Sequence, residues 1–571
     1  MPRPLQSAAT MILASCLWLS PAQTHAQDGI AGPFLAAKVA ASNGDYTAAD
    51  SWYQRALDLA PDNAQIVQGA MISALSLGDL PRAAKLAQHL ATLGIKDQTA
   101  DLARLAAAAQ LAGFAGILEL QAKGVSTGTL QDDLLAGWAH IGLGQMNDGL
   151  ARLDQAAQTP GLAGFGLYHR AIALALAGDY DGAAVAMTAP ETVVQRSARR
   201  GAIFLAEILS QTGKTTEAAD MLRSGLGTGD NAQMQDMITR LDAGEALAIS
   251  GFKDATSGLA EAFFSIASAL GDETDPAYIL LQARIAAVLR PDDTEALLLT
   301  AATLEKLGQF DLAAQSYGKV TPASPDFPLA EIGRAEAVYA AGRKTDSLQI
   351  LRDLAAARPR DIDVQVALGH GLRRDKFHDE AITVYTAALA LIPQIGPQHW
   401  ALLYSRAISL EATGDFTRAE ADFRAALQLN PDQPSVLNYL GYSLVDRGLK
   451  LEEALAMIQR AVAASPNSGY IVDSLAWAYF RLGRFAEALA PMERAAQLEP
   501  IDPIVTDHLG DVYWANGRKR EAVFQWRRAL SFEPTEKDAV RIRMKLEMGL
   551  DKVRADEGDP PFPPVVGQGG L

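Results

Sequence analysis

The sequence predicts an all-α solenoid of repeated helix-turn-helix units, and three observations lead to this fold class. Turn glycines recur 34, 35 and 34 residues apart, at Gly414, Gly448, Gly483 and Gly517. Loop prolines recur 34 and 34 residues apart, at Pro466, Pro500 and Pro534. Between these positions, apolar and small residues follow the period of an amphipathic helix. A fixed period of this length is typical of a repeat array.

Each repeat contains two predicted helices with different packing roles. The first helix carries a bulky, a small and another bulky residue, as in Leu475, Ala476 and Tyr479. The second helix repeats small residues around a large one, as in Ala488 and Met492. Small residues let two backbones approach closely, and a single unit cannot bury its own apolar face. The units are therefore expected to stack on one another.

These motifs resemble the tetratricopeptide repeat, whose pattern is matched best by residues 503–536. The same frame fits residues 362–395, residues 294–327 and the segment "NGDYTAADSWYQRALDLAPDN" near the amino end. The resemblance implies a right-handed superhelix of about 13 or 14 repeats with a concave groove that binds other proteins. It implies no enzymatic activity.

The first 26 residues have the features of a secretory signal peptide. Arg3 precedes an apolar run at residues 8–20, and small residues before position 27 predict cleavage after Ala26. The protein is then expected to be periplasmic. An alternative interpretation takes Leu13 to Cys16 as a lipobox, with Cys16 acylated in an outer-membrane lipoprotein that faces the periplasm. Membrane contact is expected only in that alternative.

The repeat register divides the rest of the chain into four predicted segments. An amino-terminal solenoid covers residues 27–225, and a carboxy-terminal solenoid covers residues 259–550. Residues 226–258 lose the glycine and proline register and are expected to be an irregular helical segment. Residues 551–571 are rich in proline and glycine and are expected to form a flexible tail.

Charge and motif content exclude several classes of function. The net charge of −17 disfavours binding to nucleic acid. Gly213-Lys214-Thr215 lacks the earlier glycine of a phosphate-binding loop, because that position is Ile208. No histidine pair has the spacing of a helical zinc site, and the chain has one cysteine. We therefore predict no catalytic residue, no metal, no small-molecule cofactor and no nucleic-acid partner.

The predicted binding site is the groove lined by the first helix of each of the last repeats. Inward positions fall at offsets 2, 5, 9 and 12 of the repeat, where aromatic and acidic residues are unusually frequent. Aromatic side chains would hold a peptide through apolar area, and carboxylates would select basic segments. The predicted groove residues are Tyr404, Asn438, Tyr442, Asp473, Trp477, Phe480, Asp507, Asp511 and Trp514.

A narrower resemblance concerns residues 437–495 and 507–530. These segments are similar to the carboxy-terminal half of large bacterial envelope proteins with this repeat. One type in that group is an outer-membrane lipoprotein that binds a C-terminal processing protease and its cell-wall hydrolase substrates. The resemblance implies an envelope adaptor that presents substrates to a protease. The alternative is a structural scaffold of a polysaccharide or outer-membrane assembly or export complex.

Overall fold

A computed structural model describes residues 29–225, 232–271, 274–559 and 561–562. Within these ranges the regular secondary structure is entirely helical, with 32 α-helices and no strand. The predicted all-α fold of consecutive helix pairs is therefore confirmed. The predicted signal peptide, including Cys16, lies outside the described residues.

The chain forms two compact units, residues 1–346 and residues 347–571. In the first unit the described α-helices are α1 (Ala31–Ser42), α2 (Tyr46–Leu59), α3 (Ala64–Leu77), α4 (Leu80–Thr92), α5 (Gln98–Ala107), α6 (Gly113–Ala122), α7 (Thr129–Gly142), α8 (Met146–Ala156), α9 (Ala163–Leu176), α10 (Tyr180–Thr188), α11 (Val193–Ser197), α12 (Arg199–Gln211), α13 (Thr215–Gly225), α14 (Ala232–Asp242), α15 (Ala255–Ala269), α16 (Pro276–Leu289), α17 (Thr294–Lys306), α18 (Phe310–Tyr317) and α19 (Phe327–Ala340). Helix α20 (Lys344–Ala357) crosses the boundary.

The second unit continues with α21 (Ile362–Arg374), α22 (His378–Leu391), α23 (Trp400–Ala412), α24 (Phe416–Leu429), α25 (Pro434–Asp446), α26 (Leu451–Ala464), α27 (Gly469–Arg481), α28 (Phe485–Leu498), α29 (Pro503–Ala515), α30 (Lys519–Leu530), α31 (Glu536–Met548) and α32 (Leu550–Asp556). The boundary between the two compact units thus lies near residue 346. The irregular segment predicted at 226–258 concerns the repeat register and not this boundary, and it stays a prediction.

Glycine is required where the two helices of a repeat touch. A β-carbon added at Gly369 would lie 2.3 Å from Tyr385, and one added at Gly510 would lie 2.4 Å from Trp526. The turn between the helices uses glycine for a different reason, since Gly483 has a φ of 75°, which other residues rarely adopt. Small residues at the first position and a positive φ at the second recur along the repeats and produce the period seen in the sequence, although Ala476 takes the first position in α27 and Lys376, at a φ of 66°, takes the second between α21 and α22.

In the first unit, the inner side of the early repeats is covered by helices from the same unit. Helix α15 packs on α7 and α9, and α16 packs on α3. The contact on α7 is tight, because a β-carbon added at Gly258 would lie 2.2 Å from the ring of Trp138. Helices α3, α7 and α9 of these repeats are therefore covered by later helices of the chain.

Buried polar groups fix this packing. The indole Nε1 of Trp138 donates to His169 Nδ1 at 2.9 Å, and His169 Nε2 lies 3.2 Å from Ser265 Oγ. Burial lowers the pKa of His169 to about 3, so the ring is neutral and can accept at Nδ1. The side-chain amides of Gln131 and Gln282 bond each other at 3.1 and 3.2 Å. Such satisfied contacts select one arrangement of the two layers.

One buried carboxyl in this unit makes its stability depend on pH. Glu207 is 2% exposed, and its Oε1 accepts from the backbone N–H and hydroxyl of Ser250 at 3.1 and 2.5 Å. Burial raises the pKa of Glu207 from 4.5 to about 7. The folded unit therefore holds this proton to a higher pH than the unfolded chain does.

We expect the first unit to lose stability as pH rises from about 4.5 to about 7, because the folded carboxyl must ionise in a buried place. Glu207→Gln should remove this loss and stabilise the unit at pH 8 by up to about 3 kcal/mol. Urea unfolding at pH 5 and pH 8 measures the difference, with the exposed Glu217→Gln as control. Equal pH profiles for Glu207→Gln and the unaltered protein would contradict this expectation.

The ordered chain extends past residue 550, where the flexible tail is predicted to begin. Residues 550–556 form α32, in which Leu550 and Val553 are buried. The ring of Phe562 lies 5.2 Å from Phe485 and 6.1 Å from Phe480 between centroids. The start of the predicted tail therefore packs against the second unit. Residues 563–571 lie outside the described part of the chain.

Candidate functional site

The second unit contains an open pocket of about 480 Å³ along the inner side of its repeats. Its walls come from α25, α27 and α29, the first helices of three consecutive repeats, and from Glu411 near the end of α23. The lining residues are Glu411, Asn438, Tyr439, Tyr442, Ser443, Asp446, Tyr470, Asp473, Ser474, Asp502, Ile504 and Val505.

Helix periodicity explains why these side chains share one surface. Asn438, Tyr442 and Asp446 stand four residues apart on α25, so they lie on the same face of the helix. Tyr470 and Asp473 occupy the first turn and a half of α27. Because the first helices stack side by side, these faces together form one wall of the groove. Three of the predicted residues, Asn438, Tyr442 and Asp473, line this pocket.

The pocket has a negative field. Burial raises the pKa of Tyr442, and the carboxylates of Asp473 and Asp446 raise it further. The pKa of Tyr470 is raised chiefly by the carboxylates of Glu499 and Asp502. Both tyrosines therefore stay neutral, and their raised pKa values indicate that carboxylates lie close to their hydroxyl groups. A cationic ligand fits this environment and an anionic one does not.

A stack of three rings lies beside the pocket. The ring of Trp477 is 4.0 Å from His508 and 4.8 Å from Phe480, and both pairs are nearly parallel. His508 Nδ1 lies 3.0 Å from Asp473 Oδ1. Burial acts to lower the pKa of His508, but the surrounding carboxylates, Asp473 first, outweigh it and the pKa is raised. Asp473 is therefore partly engaged by a histidine of the next repeat.

A second pocket of about 380 Å³ adjoins the first and shares Tyr442, Asp446 and Ile504 with it. Its other walls include Trp477, Phe480 and residues of the carboxy-terminal helices. The indole Nε1 of Trp477 is buried and has no hydrogen-bond partner among the described residues. The opposite wall comes from Lys537, Asp538, Arg541, Arg554, Glu557 and Asp559. Charges of both signs therefore balance in this second pocket.

The predicted acidic residues of the last repeat are paired inside the chain, although Asp507 also lines the second pocket. Lys545 of α31 is 1% exposed, and its Nζ lies 2.7 Å from both Asp507 Oδ2 and Asp511 Oδ1. The indole of Trp526 also donates to Asp511 Oδ1 at 2.9 Å. These carboxylates are neutralised inside the protein, so they are unavailable to a basic ligand in this structure.

The predicted aromatic residue of the last repeat is also covered. Trp514 Nε1 donates to Asp551 Oδ2 at 2.9 Å, and its ring lies 5.2 Å from that of Trp526. A β-carbon added at Gly549 would lie 2.9 Å from Trp514. The segment between α31 and α32 therefore occupies the place where Trp514 was expected to meet a partner.

Two further predicted residues lie outside the first pocket. Tyr404 packs in an aromatic cluster with Phe423 and Tyr439, at ring distances of 6.0 and 5.9 Å. Phe480 is buried between Trp477 and Phe485 and lines only the second pocket. Both mainly support the groove from beneath.

The inward offsets did not identify every lining residue. Asp446 lies four residues beyond Tyr442 and completes its helical row, so extending that row by one turn would have found it. Tyr439 falls at none of the inward offsets and packs against Tyr404 and Phe423. Glu411 belongs to the last turn of the preceding first helix. Nothing in the repeat pattern marks these two positions as accessible.

The described residues contain no group of three or more histidine, cysteine, aspartate or glutamate side chains placed to hold a metal ion. In the same part of the chain, no helix has the length and apolar character needed to cross a membrane.

Models of the tetratricopeptide repeat match residues 34–63 and residues 298–362, 366–434, 404–469, 439–506 and 474–537. A TPR repeat-containing protein of Pseudomonas aeruginosa is 31% identical over 176 residues, covering 30% of this chain and 29% of that protein. Cellulose synthase operon protein C of Xanthomonas axonopodis pv. citri is 29% identical over 193 residues, covering 30% of this chain and 13% of that protein. The alignments thus span less than a third of either relative.

Among solved structures, the hetero-tetramer Cut9-Hcn1 of the APC/C aligns with 90% of this chain and 95% of its own, at 15% identity and a TM-score of 0.39. Proteins with this repeat are in general scaffolds for protein–protein interaction. Residues 34–63 and nearly all of 298–537 therefore match the tetratricopeptide repeat.

Proposed function

We propose that this protein is an exported, non-enzymatic adaptor of the bacterial envelope that binds partner proteins in the groove of its second unit. The observation that carries the proposal is the open pocket between α25, α27 and α29, which combines tyrosine rings with carboxylates. In the early repeats of the first unit, α3, α7 and α9 pack against α16 or α15, so these helices are less available to a partner. Partner binding is therefore assigned to the second unit.

Export is supported by the amino-terminal sequence. Arg3, the apolar run at 8–20 and the small residues before position 27 are typical of a secretory signal. The mature protein would then be periplasmic, or an outer-membrane lipoprotein if Cys16 is acylated. Presentation of cell-wall hydrolases to a C-terminal processing protease is the specific role we propose for it. The resemblance of residues 437–495 to envelope adaptors supports that role.

A second candidate function is a scaffold for envelope polysaccharide assembly. It is favoured by the similarity to cellulose synthase operon protein C, although the match covers 13% of that protein. The repeats would look the same in both cases, since each function needs a protein-binding groove. Only the identity of the captured partners separates the two.

The groove is tested by capture of partners from an envelope extract with a carboxy-terminally tagged full chain. Tyr470 is 57% exposed, so Tyr470→Ala should leave the fold intact. Combined with Tyr442→Ala, it should reduce capture strongly, because each buried aromatic contact at an interface contributes about 2 kcal/mol. Phe524→Ala is the matched control, since Phe524 is 63% exposed on the second helix of a repeat.

Capture is measured by quantitative mass spectrometry, and thermal melts verify that the variants are folded. A protease recovered with cell-wall hydrolases would support the adaptor, whereas polysaccharide-synthesis proteins would support the second candidate. Undiminished capture by a folded Tyr442→Ala/Tyr470→Ala protein would overturn the proposal that the groove binds the partners. Recovery of the tagged chain only in the cytoplasmic fraction would overturn export.

A further inference from the structure

The second unit repeatedly places an arginine between an aromatic ring and a carboxylate. Arg518 lies over the ring of Tyr513, 4.0 Å from its centroid, and Arg518 Nη1 is 2.8 Å from Glu493 Oε1. The same carboxylate oxygen accepts from the Tyr513 hydroxyl at 3.0 Å. Arg484 repeats the arrangement over Tyr479, with its partner Glu487 at 2.6 Å. The flat guanidinium suits such sites because it stacks and donates at once.

The 480 Å³ pocket offers the same surroundings without the cation. Tyr442 and Tyr470 line it beside the carboxylates of Asp446, Asp473 and Asp502. Arg481 acts electrostatically on Tyr442 and donates to the backbone oxygen of Asp446 at 3.3 Å. Among the described residues, however, no arginine or lysine stacks on either of these rings. In addition, Asn438 Oδ1 is a buried acceptor that has no hydrogen-bond partner in the described chain. The pocket therefore presents aromatic faces and acceptors in excess of donors.

We infer that this pocket binds an arginine side chain presented by the partner segment. A guanidinium has five N–H donors in one plane, so it can reach carboxylates on more than one helix while it stacks on a tyrosine. Lysine would supply charge at a single point and no flat face. The inference rests on the proposed function, and it names the chemistry by which the groove selects its partners.

The neighbouring repeat shows why the arginine is assigned to this pocket. One repeat further on, the paired carboxylates Asp507 and Asp511 already hold the chain's own Lys545. The second pocket carries Arg541 and Arg554, which pair with Glu557 and Asp559 at 2.8 and 3.1 Å. Of the carboxylates around Tyr442 and Tyr470, Asp473 pairs with His508 and Asp502 caps α29. Asp446 is therefore the carboxylate left for an external cation, with Asp473 and Asp502 adding negative charge beside it.

The test selects peptides from a random 12-residue display library on the immobilised full chain. We expect enrichment of arginine over the library frequency, and loss of that enrichment on an Asp446→Asn protein. The best peptide is then synthesised with arginine, lysine or citrulline at the enriched position, and binding is measured by calorimetry. Citrulline keeps the shape and removes the charge, so it should bind at least about tenfold more weakly.

A double-mutant cycle tests whether the arginine side chain of the peptide contacts this pocket. If the arginine contacts this pocket, Asp446→Asn should weaken the arginine peptide several-fold and leave the citrulline peptide nearly unchanged. Asp432→Asn is the matched control, because Asp432 is 85% exposed and pairs with Arg460 away from the pocket. Equal binding of the arginine and citrulline peptides, or selection of peptides without arginine, would overturn the inference.

The outcome is separable from that of the proposed function. Suppose that Tyr442→Ala/Tyr470→Ala loses partner capture and that the arginine and citrulline peptides bind equally. The groove would then be supported as the site of partner binding, and the arginine inference would be rejected. Undiminished capture would reject the groove as the site of partner binding, and the arginine inference, which rests on it, would fall as well.

Discussion

Lys545→Met should destabilise the last repeats of the second unit by about 3–5 kcal/mol, because it removes the closest cation from two buried carboxylates. The ammonium of Lys545 is the contact shared by Asp507 and Asp511, and the three groups are 1, 7 and 0% exposed. Arg541 lies farther away, at 3.4 Å from Asp511 Oδ2 and 3.9 Å from Asp507 Oδ2. Urea unfolding gives the free energy, and hydrogen exchange over residues 503–556 shows where protection is lost.

Two further variants separate the effect of the uncompensated carboxylate charges from the effect of losing a lysine side chain. Lys552→Met removes a lysine that is 61% exposed and pairs with Asp556, so it should change stability by less than about 0.5 kcal/mol. Adding Asp507→Asn and Asp511→Asn to Lys545→Met removes the uncompensated charges and should restore most of the loss. A Lys545→Met protein as stable as the Lys552→Met protein would refute this account of the buried cluster.

Trp138→Ala is expected to have a comparable effect on the first unit. The side chain is fully buried, covers Gly258 of α15 and donates to His169. Truncation opens a large cavity between α7 and α15 and leaves a buried imidazole nitrogen without its donor. The expected loss is about 3–5 kcal/mol in the free energy of unfolding. Hydrogen exchange should rise in residues 255–289, which pack on the inner side of the early repeats.

Trp52→Ala serves as the control, because Trp52 is only partly buried and stacks under Arg55 at 4.5 Å. Its loss should be clearly smaller and should not reach residues 255–289. If Trp138→Ala left exchange in residues 255–289 at the level of the unaltered protein, the docking of α15 on α7 would need another explanation.

The repeat architecture could be predicted because its causes are local. Gly483 at a positive φ and Gly510 beneath Trp526 recur at a fixed interval, so the period in the sequence is the period of the fold. The same register placed Asn438, Tyr442 and Asp473 on the inner face, where they line the open pocket.

In the last repeat, other groups of the chain lie beside the predicted groove residues, and the repeat register does not contain this information; partner binding by these residues stays a prediction. Asp507, Asp511 and Trp514 occupy inward offsets, but α31 and the segment after it cover them through Lys545 and Asp551. The repeat period predicts which face of the helix a side chain lies on. It does not predict which later part of the chain packs over that side chain.

The packing of α15 and α16 within the first unit escaped prediction for the same reason. Arg284 Nε donates to the backbone oxygen of Ser76 at 3.1 Å, across 208 residues of sequence. Neither residue breaks the local pattern of its helix. Contacts of this range depend on tertiary fit and leave no mark in a 34-residue period.

The filled interior of the first unit also sets an order of events during biosynthesis. Helix α7 ends at Gly142, whereas α16 ends at Leu289. A ribosome that adds about 5–20 residues per second would leave the early repeats without their inner cover for roughly seven to thirty seconds. During that interval the nascent chain exposes Trp138 and its neighbours, and it cannot complete a stable first unit.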